Sequence, residues 1–475
     1  MSYIQGWDRR QPLLLPEQLE EYVSAANEVR FVDAFVEGLD LGTLGIAEHD
    51  FGAAGRPPYD PRDLIKLYMW GYLNRVRSSR RLEQACGRDL EVIWLLRKVR
   101  PDHKTISEFR RVNRKAFGGL LKAFNLLCRQ LGLFGAELVA IDGAMFKAVN
   151  SKARNYTQPK LKALLAQVEK RIEEWLAVLE TSDQEGESRA EAKAGTAREL
   201  KEKIAGLREK REQLEGWLKQ VEQTGEQVSL TDPDSRLMSK GGEGVVGYNV
   251  QMAVDAKHKL IVDVEATQAG NDREQLASSA ERAKDALGVE KLSVLADKGY
   301  FNIAELKRCE AAGITARVPV PKTTKPGDGS FPSEAFRYEA DQDVCVCPAG
   351  QTLGRHADAQ RRNLLYQTYY NVAACTACAQ RAQCTRGRYR KIVRLPDQAW
   401  LDRMRQTVQD RPEWMRQRAA LVEHPFGSLK HWMGLRDFLL RTRQKVQAEI
   451  SLGALAYNLR RALHVLGLAP LLAAV

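Results

Sequence analysis

Three carboxylates stand where a sheet and a helix could gather them around one substrate. Asp142 closes the apolar run Leu138-Val-Ala-Ile141 and precedes Gly143, and Asp297 closes Leu292-Ser-Val-Leu-Ala296 and precedes Lys-Gly-Tyr. Short apolar runs of this kind read as buried strands. Glu423 lies in Arg-Gln-Arg-Ala-Ala-Leu-Val-Glu-His-Pro-Phe-Gly-Ser-Leu-Lys. On a helix, Arg416, Glu423 and Lys430 recur every seven residues and share a face, a carboxylate flanked by cations suited to phosphates. Pro425 predicts a bend or a fresh start there. Hard oxygen ligands hold Mg²⁺ or Mn²⁺. Two such ions about 3.5–4 Å apart activate a water or 3′-hydroxyl and stabilise the departing oxygen of a phosphodiester. Either aspartate alone could equally be a turn or helix-cap residue. Nearby acids such as Asp272, Asp410 and Glu413 are expected to be dispensable.

The elements that must position these carboxylates follow in order. After the strand ending at Asp142 come a hairpin (Gly247 to Val254 and Leu260 to Thr267) and a helix capped by Asn271-Asp272. A strand from Lys291 to Ala296, a helix from Asn302 to Gly313, a strand from Ala316 to Pro321 and long helices from Pro396 complete the series. This is the order of an α/β RNase H-like fold, with core segments 136–150 and 240–321 and a catalytic and C-terminal helical segment at 396–475. Two insertions interrupt it. In 151–239, Leu161, Leu165, Val168, Ile172, Trp175 and Leu179 answer Leu200, Ile204, Leu207, Leu214, Leu218 and Val221 around the polar stretch Thr181 to Thr196. Spacings of three and four predict a coiled-coil hairpin. The second insertion, 322–395, is expected to be irregular and rich in cysteine.

Charge points to the partner. The chain of 475 residues carries a net +12, and 44% hydrophobic residues mark a folded protein. From Asp60 to Gln130 there are 17 Lys and Arg against 7 Asp and Glu. A positive field concentrated in one segment suits a polyphosphate, because each neutralised phosphate releases counterions. The same segment shows short helices opened by Asp60-Pro61, Ser78-Ser79, Asp89 and Asp102, the last running from about Ser107 to Leu131. Residues 1–135 therefore read as a helical N-terminal DNA-binding domain of helix-turn-helix kind. The expected DNA contacts are Arg75, Arg77, Arg80, Arg81, Lys104, Arg110, Arg111 and Arg114, with Arg416 and Arg418 nearer the chemistry.

Five of the eight cysteines fall between 345 and 384. The N-terminus has neither the basic nor the apolar region of a signal peptide, and no uncharged apolar run reaches the ~18 residues of a membrane span. A cytoplasmic protein with reduced thiols follows. There, Cys347, Cys375, Cys378 and Cys384 read as ligands of one structural Zn²⁺, the alternative being thiols that are merely buried. Cys86, Cys128 and Cys309 are isolated and expected in the core. Neither a Walker A loop nor a GxGxxG with an acidic partner occurs, so no nucleotide cofactor is expected.

The blocks Ile-Asp-Gly, Ala-Asp-Lys-Gly-Tyr and Val-Glu-His-Pro-Phe-Gly-Ser-Leu-Lys resemble the catalytic blocks of bacterial insertion-sequence DDE transposases. Asp-Pro-Arg-Asp-Leu-Ile-Lys-Leu-Tyr-Met-Trp-Gly-Tyr resembles the InsH-like N-terminal domain of one branch of them. The resemblance implies binding of terminal inverted repeats, cleavage at the element ends and transfer of the 3′ ends to target double-stranded DNA. It makes Asp142, Asp297 and Glu423 the metal-binding catalytic triad. Lys430 matches the lysine seven residues after the glutamate in a related signature. The arginine expected four residues before the glutamate is Ala419 here, and the tyrosine position is Arg416. A homodimer on the bacterial nucleoid is the expected acting form. A non-transposing nuclease, or an inactive DNA-binding regulator, is the competing reading on the same fold.

Overall fold

In the computed structural model, residues 18–46, 58–184, 190–225, 227–240, 243–321, 331–361, 364–394 and 397–475 are described. The expected start of the N-terminal domain, most of the Gly- and Pro-containing segment Phe51 to Pro61 and part of the polar stretch at 181–196 lie outside them, as does the side chain of Leu179. The chain forms two compact units: 1–272 with 282–289 and 421–475, and 273–281 with 290–420.

Six α-helices make up the described N-terminal part of the larger unit, and side-chain caps open three of them. The six are α1 (Val29–Glu37), α2 (Pro61–Leu73), α3 (Ser79–Ala85), α4 (Leu90–Leu95), α5 (His103–Val112) and α6 (Ala116–Gln130). Asp60, Asp89 and Asp102 each accept from backbone N–H groups of the helix they open, whereas Ser78 caps α3 without a side-chain bond. The single long helix expected from Ser107 is two, because Asn113 folds its amide back onto the Phe109 carbonyl at 3.1 Å and ends α5. Helix α2 is buried from Asp63 to Leu73, and Lys66 within it is neutralised by Asp33 and Glu37, each at 2.6 Å.

Strand β1 (Leu138–Lys147) runs five residues past Asp142, so this aspartate is mid-strand and not at its end. Strands β2 (Asn155–Tyr156) and β3 (Val228–Ser229) pair at the base of two long helices, α7 (Gln158–Gln184) and α8 (Ala190–Thr224). Leu161, Leu165, Val168 and Ile172 of α7 pack on Leu214 and Val221 of α8, and Gln158 bonds Glu222, which makes the two antiparallel. Strands β4 (Arg236–Lys240), β5 (Glu243–Asp255) and β6 (Ile261–Thr267) complete an antiparallel arrangement. The long β5 carries β1 on one edge, with Asp142 opposite Met252, and β6 and β4 on the other.

Helix α9 (Leu276–Leu287) begins four residues beyond the expected cap at Asp272. In the smaller unit, β7 (Leu292–Leu295) and β8 (Ile314–Arg317) pair in parallel, joined by α10 (Ile303–Ala311), whose N-cap Asn302 bonds Ala304. The cysteine stretch is not irregular. Strands β9 (Arg337–Glu339), β10 (Val344–Val346), β11 (Thr352–Arg361), β12 (Leu364–Tyr370) and β13 (Ile392–Arg394) form a sequential antiparallel sheet. Short helices α11 (Val372–Thr376) and α12 (Arg381–Cys384) sit between β12 and β13, and α13 (Gln398–Gln409) follows.

Helix α14 (Glu413–Gly427) continues through Pro425 and passes into a π-turn at Ser428–Trp432. Proline lacks the donor an α-helix needs there, and a wider turn is a common local adjustment. Helix α15 (Arg443–Leu466) packs on α2, α6 and β6, and α16 (Leu468–Leu472) packs on α1. The Asn458 amide at the centre of α15 bonds Asn125 on α6 and the Ile261 carbonyl, a satisfied buried polar link. No helix among the described residues is long and apolar enough to cross a membrane.

Candidate active site

Asp142 is half-buried on β1 between Ile141 and Gly143, and its Oδ1 accepts from the Gly143 N–H at 2.8 Å. Residues 142, 144 and 146 share one face of the strand. Phe146 on that face is fully buried and meets Phe426 at a ring-centroid distance of 6.2 Å and Phe438 at 5.6 Å. Phe426 lies one helical turn after Glu423, and Val422, Pro425 and Phe426 are buried while Glu423 is exposed. The larger unit thus docks the Glu423 helix onto the strand face that carries Asp142.

The turn after Glu423 is fastened to the same strand. Lys430 lies in the π-turn, so the simple helical projection from Glu423 does not hold. Its Nζ donates to the Met145 carbonyl at 3.0 Å and sits 4.5 Å from the centroid of the Phe146 ring. His424 shares a 2.8 Å hydrogen bond between Nδ1 and the Tyr457 hydroxyl, which itself donates to the Lys259 carbonyl. With its one proton so used, Tyr457 must accept from His424, which fixes the imidazole tautomer. Burial, aided by Lys259 and Arg461, holds the His424 pKa below its ordinary value.

Asp297 follows β7 in the smaller unit and caps the 3₁₀ turn Lys298–Tyr300, accepting from the Gly299 N–H at 2.7 Å. Fully buried Tyr300 anchors that turn. A Cβ at Gly299 would lie 2.9 Å from Asp297 Oδ1, so glycine is what allows the carboxylate to close on the backbone. By donor chemistry the three carboxylates fit a hard divalent cation. Among the described residues, no group of three or more His, Cys, Asp or Glu is arranged to hold a metal ion.

The contacts of a fourth carboxylate, Asp272, escape the sequence reading. Asp272 Oδ1 accepts from Asn249 Nδ2 and Gln251 Nε2, both at 2.7 Å, and both amides lie on β5 and are almost wholly buried. A Cβ at Gly143 would come within 2.4 Å of that oxygen and 2.6 Å of Gln251 Nε2. Gly143 and Gln251 are register partners, so the cluster lies on the face of β1 opposite Asp142. Asp272 is therefore a structural acceptor, and the helix expected to be capped there begins only at Leu276.

The expected DNA contacts divide into two groups. Arg77 binds buried Glu449 at 3.0 Å and the Asp437 and Gly434 carbonyls, and Arg110 is buried over the Tyr68 ring. Both make internal links. Arg75, Arg80, Arg81, Lys104 and Arg111 are exposed, Arg111 paired with Glu108, while half-buried Arg114 bonds Gln444. Arg75 takes φ +61°, a strained turn conformation between α2 and α3. Arg416 is exposed and Arg418 half-buried on the first part of α14.

Cys347, Cys375, Cys378 and Cys384 line one cavity beside Phe336 and Leu353. Burial pushes the Cys384 thiol up, while Arg390 lowers it and the three other thiols raise it. Among the described residues these thiols show no coordinating arrangement. Cys345 is buried in the sheet core, and Cys86, Cys128 and Cys309 are buried free thiols.

Comparison with known proteins supplies the family. The family described as "Transposase DDE domain" matches residues 219–459, just over half the chain, a span that includes Asp297 and Glu423 and leaves Asp142 upstream. A second, "Transposase domain (DUF772)", matches residues 17–112. No curated protein matches. A piggyBac transposase synaptic complex with hairpin DNA aligns at 9% identity over 94% of this chain and 84% of its own. Its TM-score of 0.24 is too low to carry an argument. Members of the DDE family have an RNase H-like fold and use divalent metal ions, with which the sheets, helices and carboxylates above are compatible. The chain belongs to the DDE transposases, an insertion-sequence enzyme with DNA as its partner and a DUF772-type N-terminal domain.

Proposed function

We propose that this transposase binds the terminal inverted repeats of its element, cuts at the ends and joins the 3′ ends to target DNA. In this reading Asp142, Asp297 and Glu423 are the ligands of two Mg²⁺ or Mn²⁺ ions. The observation that supports it most is the seating of Phe426 on Phe146, which fastens the Glu423 helix to the Asp142 face of β1. Bound divalent cations supply activation of the attacking hydroxyl and stabilisation of the departing 3′ oxygen. The chain's own part is orientation. Asp142 and Asp297 are each held by the N–H of a following glycine, which fixes the orientation of the carboxylate. Lys430 acts as a positioning residue, since its ammonium ties the π-turn to the backbone of β1.

The remaining assignments follow the same reading. Residues 1–135 bind the element ends through Arg75, Arg80, Arg81, Lys104, Arg111 and Arg114, with Arg416 and Arg418 near the reacting phosphate. Segments 136–150 and 240–321 form the catalytic core, 151–239 and 322–395 are insertions, and 396–475 supplies the glutamate helix. The four thiols hold one structural zinc, and the acting form on DNA is a homodimer. The test of function is a product assay with duplexes carrying the element ends, scored for nicking and for joining. Joining separates a transposase from a nuclease of the same chemistry.

A further inference from the structure

Several arginines of the smaller unit have a carboxylate partner: Arg308 has Glu281, Arg337 has Glu339, Arg355 has Asp343 and Asp358, and Arg394 and Arg405 share Asp402. Arg317 and Arg411 stand apart. Their guanidinium carbons lie 4.3 Å and 5.3 Å from the centroid of one ring, that of Trp414. Among the described residues neither is in an ion pair, and Arg317 Nε is buried with no hydrogen-bond partner. Burial first, and then the nearby Arg411 charge, lowers the Arg317 pKa. Two like charges converging on one indole, neither in an ion pair among the described residues, are a disfavoured arrangement that a bridging anion would relieve.

The surroundings suit a chain of anions. Arg317 ends β8, whose far edge borders a groove of roughly 530 Å³ walled on its other side by α13. Lys291, Arg317 and Arg403 line it against a single acid, Glu310, which already accepts from Trp400 Nε1 at 3.1 Å. Thr315 and Thr407 add hydroxyl groups on the two walls. A planar guanidinium matches phosphate geometry in two-point contact and is held flat by an aromatic face.

We propose that Arg317 and Arg411, braced on Trp414, grip phosphate groups of the DNA backbone, which runs along the groove between β8 and α13. The proposal deepens the DNA-binding reading above and adds a surface outside both the carboxylates and the N-terminal basic segment. The test uses the full-length protein and a labelled duplex of arbitrary sequence, with binding measured by anisotropy between about 50 and 200 mM salt. Removing one phosphate-binding cation flattens the slope of log K against log salt by about 0.9. Arg411→Gln should flatten it by about one such step and Arg317→Gln/Arg411→Gln by about two, with unchanged circular dichroism. Arg411 is exposed, so its variant decides alone should the double variant not fold. Arg80→Gln/Arg81→Gln is the reference for the N-terminal segment. Groove variants with the wild-type slope, beside a flattened reference, overturn the groove and leave the wider reading standing. Wild type without DNA binding overturns both.

Discussion

Phe426, one turn beyond Glu423, packs against Phe146, which shares a strand face with Asp142. The contact couples a catalytic question to a packing one. Phe146→Ala or Phe426→Ala should destabilise the protein by about 3–5 kcal/mol, as large-to-small changes in aromatic cores do. Phe426→Leu should fall well short of that. Thermal unfolding of the three variants measures it, and equal melting points for Ala and Leu would contradict it.

Asp272 gives a second prediction, and its sign differs from what its sequence position suggests. Asp272→Ala strands two buried amide donors, at about 1–3 kcal/mol each. Asp272→Asn, which can still present an oxygen, should retain most of the stability. Gly143→Ala should be worse than either substitution, because its Cβ has no room beside Asp272 and Gln251. Denaturation midpoints in that order are expected. A neutral Asp272→Ala would show that the amides find other acceptors.

These two cases show what the sequence can and cannot reveal. Aspartate caps, heptad spacings and the apolar runs before Asp142 and Asp297 are local signals, and each marks a real element. Sequence alone makes β1 too short because Gly143 looks like a terminus, when it is a point of close approach to side chains of β5 and Asp272. The sheet β9–β13 escapes it because the strands are mostly short and lie among cysteines suited to a metal, although Leu-Leu-Tyr-Gln-Thr-Tyr-Tyr is a strand-forming composition. Counting basic residues cannot distinguish Arg77, spent on buried Glu449, from exposed Arg80. The Arg317–Trp414–Arg411 cluster joins distant segments and has no local signature.

His424 should make stability pH-dependent. Its folded pKa lies below the ordinary 6.5, so the unfolded chain binds the proton more readily. Its contribution is fully present above pH 6.5 and is lost as pH falls through 6.5 towards the folded value. His258, also lowered by burial, acts in the same direction. Melting temperature should fall with acidification through this window, and His424→Gln should flatten the fall. An identical profile for the variant would remove His424 from the account.

The thiol cavity predicts one zinc per chain. Metal analysis of purified protein should find it, and Cys375→Ser or Cys378→Ser should lose it together with some thermal stability. Because thiolate ligands must shed protons, zinc affinity should drop on acidification. Well-folded wild type without zinc would leave the four thiols as core residues only.

The central claim is that Asp142, Asp297 and Glu423 carry the chemistry. The most direct measurement is nicking and joining of duplexes carrying the element ends, in Mg²⁺, by wild type and by Asp142→Ala, Asp297→Ala, Glu423→Ala and Glu413→Ala. Wild type and Glu413→Ala should cleave and join. The other three should bind the ends nearly as well as wild type and form no product, and Asp142→Asn should be almost as damaging because an amide is a poor ligand for a hard cation. Full cleavage by Glu423→Ala beside an inactive Glu413→Ala would contradict the account and move the third ligand elsewhere on α14.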